Sequence, residues 1–353
     1  MRGPLLQSKL QNHQVDAAFI TFLPDIRWAC DFTGSHGVLV ALPDGLHFVS
    51  DGRYKAQASK EVRGAAIHIA GHELFQYIAE TNLIGSAHRI LFQAEHVTVA
   101  QLEKWKTQFP TVEWLGIEHV LMKHVAAKTE EEVERIRKAQ AITDGVFDHL
   151  LNVLRPGLSE CEVAAEIVYQ HLRRGADKMS FEPIVASGAQ GALPHARPTE
   201  KLLASGEMIV LDFGCVVDGY ASDMTRTIAL GEPGTEAKKV YQVVLDAQLR
   251  ALETARAGLS SKVLDEHARS VIRKAGFGDY FNHGLGHGIG LQTHEWPRIS
   301  YRVDEPLPAG AVVTIEPGVY LPGKFGVRIE DMVVLREEGS DNLTRSPKAL
   351  ISL

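Results

Sequence analysis

Two nine-residue runs, GEMIVLDFG at 206–214 and GAVVTIEPG at 310–318, share one frame: glycine at each end and an acid in the seventh place, Asp212 or Glu316. Each run is apolar and β-branched and reads as a strand. Each acid is followed by another downstream, Asp223 in DMTRT and Glu330 in EDMVV. Carboxylates form strands poorly and are costly to bury unpaired. The pattern predicts two similar half-domains, each contributing one hairpin with two acids.

The first hairpin has a readable register. Asp218-Gly219 is a strong two-residue turn signal, and pairing around it sets Asp212 opposite Thr225 and Asp223 opposite Gly214. Opposed residues share a face, as do residues two apart along a strand. Both carboxylates therefore project together as diagonal neighbours. They repel each other unless a cation lies between them. No Lys or Arg occupies the strand before the turn, and Arg226 has the wrong parity for that face. A divalent metal is the economical answer. Taken by itself, the hairpin could also be a solvated edge with surface acids. With Glu316 and Glu330 opposite, four carboxylates and one neutral His give an oxygen/nitrogen set whose charge balances two divalent ions. Such sites favour Mn, Co, Fe or Zn pairs and activate a bridging water.

The stretch NHGLGHGIGLQTHEWP, residues 282–297, supplies the His. Gly284, Gly286, Gly288 and Gly290 argue against a helix, leaving extended or looped backbone that can approach another group closely. His283, His287 and His294 cluster there. A lone His in a strand is more often packed or surface-exposed than a ligand, but three among alternating glycines point to a site. His195, in the Gly/Pro-punctuated loop SGAQGALPHARPT (187–199), reads on its own as an exposed loop residue.

Around these motifs the chain of 353 residues predicts two domains. Residues 1–122 alternate strand-like runs (17–21, 37–42, 46–50, 66–70, 89–92) with helix-like stretches, predicting a smaller α/β domain with a mixed sheet and a turn at Pro43-Asp44-Gly45. Residues 123–353 form the second domain, of α+β class. It opens on capping boxes at Thr129/Glu132 and Ser159/Glu162, and apolar residues from Val133 to Leu154 recur at helical spacing. Helices are also expected at about 235–256 and 261–275. A net charge of -7 argues against a nucleic-acid partner. No apolar run is long enough for a membrane span, and MRGPLLQSKLQNHQ has no hydrophobic stretch of a secretory leader. Three scattered cysteines form no disulfide or metal framework, so a reducing cytoplasm is expected.

The ordered set LDFGxxxxGYxSDxTRT, HGxGHGxGLxxHEWP, TIEPGVY and GVRIED resembles the M24 metallopeptidases of pita-bread fold, in their Xaa-Pro branch of aminopeptidase P and prolidase. FTGSHG and SDGRYKAQA resemble the creatinase/prolidase N-terminal domain. Methionine aminopeptidases share the fold and ligands but usually lack such a domain. The resemblance implies a pita-bread catalytic domain with pseudo-twofold halves, and two divalent ions, manganese foremost, held by Asp212, Asp223, His287, Glu316 and Glu330. It implies substrate-handling roles for His195, His283 and His294. Arg328 would either support the ligand carboxylates or meet a substrate carboxylate. It also implies a homodimer.

The expected reaction is attack by a metal-bridging hydroxide on the carbonyl before proline. His294 and His195 would stabilise the oxyanion, and Glu316 would pass a proton to the proline nitrogen. The expected substrates are peptides with proline in second position. Tripeptides are expected besides dipeptides, because Arg328 is the only cation tied to a motif and no long insertion closes the exit. The rivals are a strict prolidase, a creatinase-like amidinohydrolase and a metal-free pita-bread binding module.

Overall fold

The computed structural model describes residues 2–353. The chain divides into two compact units, one ending at Val125 and the other beginning at Ala126.

The first unit is built on a six-stranded sheet. Its spatial order is Ala66–Ala70, Gly45–Asp51, Val38–Leu42, Ala17–Ile20, Arg89–Gln93, Glu113–Ile117. The sheet is mixed: the central pairings are antiparallel and those toward both edges parallel. Leu42 pairs with Gly45, which confines the hairpin loop to Pro43-Asp44. Five strands coincide with the apolar runs of the sequence. The sixth, EWLGI, begins on a charge, contains Gly and lies at an edge, so it carries no comparable apolar signal. Phe19 anchors the core, with Phe75, Trp105, Phe109 and Trp114 around it at ring-centroid distances of 5.5 to 6.1 Å.

In the second unit the order helix, helix, strands occurs twice. Glu130–Val153 and Glu160–Arg173 precede the strands Ile184–Ser187, Glu207–Phe213 and Met224–Leu230. Thr235–Thr254 and Ser261–Lys274 precede a five-stranded sheet that contains Gly286–Gly288, Val312–Ile315 and Asp331–Arg336. Both expected capping boxes form, each with reciprocal hydrogen bonds between the cap residue and the Glu three positions on.

Residue parity in the strands sets what faces the middle of this unit. Ile209, Leu211, Phe213, Met224 and Ile228 pack with Val146, Leu150 and Ile167 of the first helix pair. Val313, Ile315, Val327, Ile329 and Val333 pack with Val240, Val244, Leu264 and Ala268 of the second pair. Fully burying one such side chain contributes about 1.5–3 kcal/mol, so these faces are strongly fixed. The alternate positions, Asp212, Thr225, Thr314, Glu316, Arg328 and Glu330, must then point away from the helices.

The first hairpin has the predicted register. Asp212 pairs with Thr225, Val217 pairs with Tyr220, and Asp218 and Gly219 both adopt positive φ, 47° and 73°, the conformation of a type I′ turn. Pairing is pinched at Gly214, where a Cβ would lie 1.9 Å from the Ser222 carbonyl oxygen. The second hairpin keeps one register through two separate pairings, Ile315 with Asp331 and Gly318 with Arg328. Glu316 and Glu330 flank the gap between them.

Candidate metal centre

Strand parity brings the five sequence-predicted donors together. Asp223, His287 and Glu330 each offer a ligand atom within 4.8 Å of the others. His287 Nε2 lies 3.7 Å from Asp223 Oδ2 and 3.4 Å from Glu316 Oε1. Asp212 is joined to the group by Arg328, whose Nη2 meets Asp212 Oδ2 at 2.5 Å. Arg328 Nε donates to Thr225 Oγ1 at 3.0 Å, and the Thr225 hydroxyl donates to Glu330 Oε2 at 2.7 Å. The first hairpin supplies no cation to its own acids, as expected; Arg226 faces the other way and pairs with Asp331 at 2.8 Å. Arg328 arrives instead from the second hairpin.

Titration reflects the crowding. Burial, followed by the charges of Glu330, Asp212 and Glu316, pushes Asp223 well above the usual carboxylate range. Burial with Glu316 and Asp212 does the same to Glu330. Burial raises Glu316 to about 7, against the opposing pull of Arg328. Arg328 stays protonated: burial opposes its charge, but Tyr320, Asp212, Glu316 and Glu330 outweigh that.

The donor set fits divalent ions. His287 Nδ1 lies 3.0 Å from Gly288 O; a carbonyl only accepts, so the ring proton sits on Nδ1. Nε2 then turns a lone pair toward two carboxyl groups, a meeting that a retained carboxyl proton or a divalent ion between them satisfies, and this is the tautomer of a ligating His. Among the described residues, Asp212 Oδ1 and Glu330 Oε1 are buried without a hydrogen-bond partner. Such atoms cost several kcal/mol unless something satisfies them.

The other predicted residues lie around this cluster in different states. The His294 ring lies tilted against that of His287 at 4.3 Å between centroids, and partial burial with the nearby His287 and His195 lowers it to about 4. It is a neutral imidazole at pH 7. His195 is exposed on its turn. Buried Glu160 fixes both ends of that loop, accepting from Ser187 N and Oγ at 2.8 and 3.0 Å and from Thr199 N and Oγ1 at 3.1 and 2.7 Å. His283 differs. Its Nδ1 donates to Gly284 O at 2.7 Å, burial lowers it to about 3, and its Nε2 accepts from the Tyr320 hydroxyl at 3.0 Å. Both nitrogens are engaged within the protein, so His283 offers a wall rather than a hydrogen-bond donor. Arg328 is similarly engaged, donating through Nη1 to Tyr320 Oη at 2.7 Å and Pro194 O at 3.1 Å. That geometry favours support of the carboxylates over capture of a substrate.

Sequence reasoning missed four residues here. The hairpin register sets Thr225 opposite Asp212 but gives its hydroxyl no evident task. Thr314 accepts from His287 N at 3.0 Å and donates to Glu316 Oε1 at 3.2 Å; a Thr in a strand ordinarily needs no explanation. Tyr320 reads as a core aromatic. Arg298 is the cross-strand partner of His287, shares its face and is exposed; burial lowers His287 and His294, and the charge of Arg298 adds to it in both. It overturns the premise that Arg328 is the only cation tied to a motif.

Two hairpins that bring four carboxylates and one imidazole together make a site suited to metal-assisted hydrolysis. Residues 134–337 match metallopeptidase family M24 and residues 2–124 match the creatinase/prolidase N-terminal domain; the chain belongs to that family. A Pyrococcus furiosus Xaa-Pro dipeptidase is 39% identical over 79% of this chain and 78% of its own length. Among solved structures, an Xaa-Pro dipeptidase from Bacillus anthracis superposes with a TM-score of 0.95 at 37% identity, covering 99% of this chain and 98% of that one. An X-Pro aminopeptidase from Thermotoga maritima gives 0.92 at 36% identity, covering 98% and 100%. The fold is therefore the pita-bread architecture with its N-terminal domain, and the chain is a hydrolase of peptides. Among the described residues no helix is long and apolar enough to cross a membrane.

Proposed function

We propose that the protein hydrolyses the bond before proline in Xaa-Pro dipeptides. The carrying observation is the convergence of Asp212, Asp223, His287, Glu316 and Glu330, with two carboxylate oxygens buried and unpartnered. Four carboxylates match two divalent ions in charge, and all-oxygen/imidazole donors suit Mn, with Co, Zn or Fe as alternatives. Such ions, when bound, lower the pKa of a water and polarise the scissile carbonyl.

The residues supply the rest. Neutral His294 offers an N–H to the carbonyl oxygen as negative charge develops there, with His195 beside it on the anchored loop; removing one such donor typically costs a hundredfold or more in rate. The proline nitrogen has no hydrogen and must be protonated to leave. Glu316, with Oε1 tied to the Thr314 hydroxyl, is the carboxyl placed to deliver that proton.

Arg298 supports the dipeptide reading. A dipeptide carries a free carboxylate one residue beyond the scissile bond, and an exposed guanidinium on the His287 face suits its capture. This reading is the alternative to the expected cleavage of tripeptides besides dipeptides. The test compares kcat/KM for Ala-Pro, Ala-Pro amide and Ala-Pro-Ala with Mn-loaded protein. Ala-Pro should be preferred at least tenfold, a preference lost in Arg298→Met. Equal cleavage of all three would reassign the protein to the aminopeptidase P reading. The homodimer implied by the resemblance should appear in light scattering as twice 38.8 kDa.

A further inference from the structure

His294 belongs to a turn, 290–294, that leads into the strand Glu295–Ile299 and has little backbone hydrogen bonding of its own. Its local backbone bond is Gly290 N to Gln292 O at 3.0 Å. The turn is fixed from outside: Ala221 N donates to Gly290 O at 2.8 Å and Thr293 Oγ1 to Ser180 O at 3.0 Å. The residue after His294 is Glu295. One of its oxygens, Oε1, accepts from Gln292 N at 3.0 Å, and the other, Oε2, meets Lys128 Nζ at 2.6 Å, with the two side chains only 2% and 5% exposed. Lys128 is itself anchored. Its N–H donates to Gly310 O at 3.0 Å, and it lies two residues before the helix Glu130–Val153. Gly290 is shaped to the pair: a Cβ there would lie 2.6 Å from Lys128 Cε and 2.9 Å from Glu295 Oε2.

A buried ion pair is weak evidence for stability, since desolvation offsets much of its attraction. What it does supply is one fixed geometry. We propose that the Lys128–Glu295 pair is a positioning device for His294, locking the turn so that the imidazole sits against His287 at the edge of the centre. The chemical part of this inference rests on the proposed function; the positional part does not.

The test is a double-mutant cycle in the full-length protein. Glu295→Gln removes the charge yet keeps an acceptor for Gln292 N–H. With the ring displaced by about an ångström, kcat for Ala-Pro should fall roughly ten- to a hundredfold, while KM stays within about twofold and metal content is unchanged. In a His294→Ala background the same change should cost nothing further, because residues acting through one another are non-additive. Lys128→Arg, which keeps the pair, should retain kcat within a few-fold. Should Glu295→Gln not fold, Glu295→Asp, which draws the carboxylate back by one methylene, runs the same cycle. A readout free of activity is the His294 Cε1–H resonance in metal-free protein, assigned by its loss in His294→Ala. It should be single in wild type and shifted or exchange-broadened in Glu295→Gln. An unmoved resonance, an equal loss of kcat in the His294→Ala background, or a fall in metal content would overturn the inference. Failure of wild type to cleave Ala-Pro, with the resonance behaving as stated, would instead count against the proposed function alone.

Discussion

Among the described residues no Lys or Arg pairs directly with Asp223 or Glu330, and that separates them from Asp212, which Arg328 partners. Replacing either with Ala removes a proposed metal donor and also relieves repulsion. The expected result of Asp223→Ala or Glu330→Ala is loss of bound metal and nearly all activity, with a metal-free Tm at or above that of wild type. Two bound metals and full turnover in either variant would remove the assignment. His294→Ala should keep its metal, measured by elemental analysis, and lose about a hundredfold or more in kcat; collapse of metal content would make His294 a ligand. Thr225 tests the supporting layer. Thr225→Val removes the donor to Glu330 Oε2 and the acceptor for Arg328 Nε, and metal affinity should weaken about ten- to a hundredfold, read by competition with a chelator. These residues also show where sequence legibility ends. Acids in a strand break the rule of composition and announce themselves. Thr225, Thr314 and Tyr320 break no rule, because Thr and Tyr are ordinary strand residues, and their hydroxyls gain a task only from partners that folding brings beside them, from two to 105 positions away.

Among the elements, the hairpins were the most legible. A two-residue turn fixes register, register fixes parity, and the apolar alternate positions fix which face is buried. What the first hairpin could not reveal was the origin of its cation, since Arg328 lies on a different hairpin and reaches Asp212 only after the two halves pack. The same holds for Arg298, whose meaning comes from pairing with His287 on a neighbouring strand. Gly214 marks where the first hairpin is pinched. Gly214→Ala would set a Cβ 1.9 Å from the Ser222 oxygen and 3.1 Å from Asp223 Cα, and since both are backbone the strand must move. The expected outcome is a lowered Tm together with weaker metal binding, because the displaced segment carries Asp223. A variant with wild-type Tm and metal affinity would mean that the hairpin absorbs the methyl elsewhere.

At the scale of the whole molecule, the second unit spends part of its stability on assembling like charges. In metal-free protein Glu316 is raised to about 7, through burial first, from an ordinary 4.5; Asp223 and Glu330 are raised as well. Between about pH 4.5 and pH 7 the folded state therefore keeps protons that the unfolded chain has released. The unfolded state binds fewer, so stability falls as pH rises through that window. Divalent ions replace those protons, and their binding strengthens as the ligands deprotonate. The two effects act together. The gain in Tm on metal loading should be small near pH 4.5 and grow steadily toward pH 7. There, a thousandfold excess over Kd is worth about 4 kcal/mol, a shift on the order of 10 °C for a unit of this size. Calorimetry of metal-free and Mn-loaded protein at half-unit pH steps measures it, with Glu316→Gln as the control whose metal-free curve should be flatter. A metal-induced shift of equal size at pH 5 and pH 7 would mean that the carboxylates are not crowded in the way their burial implies, and that the charge they share is neutralised by protein groups alone.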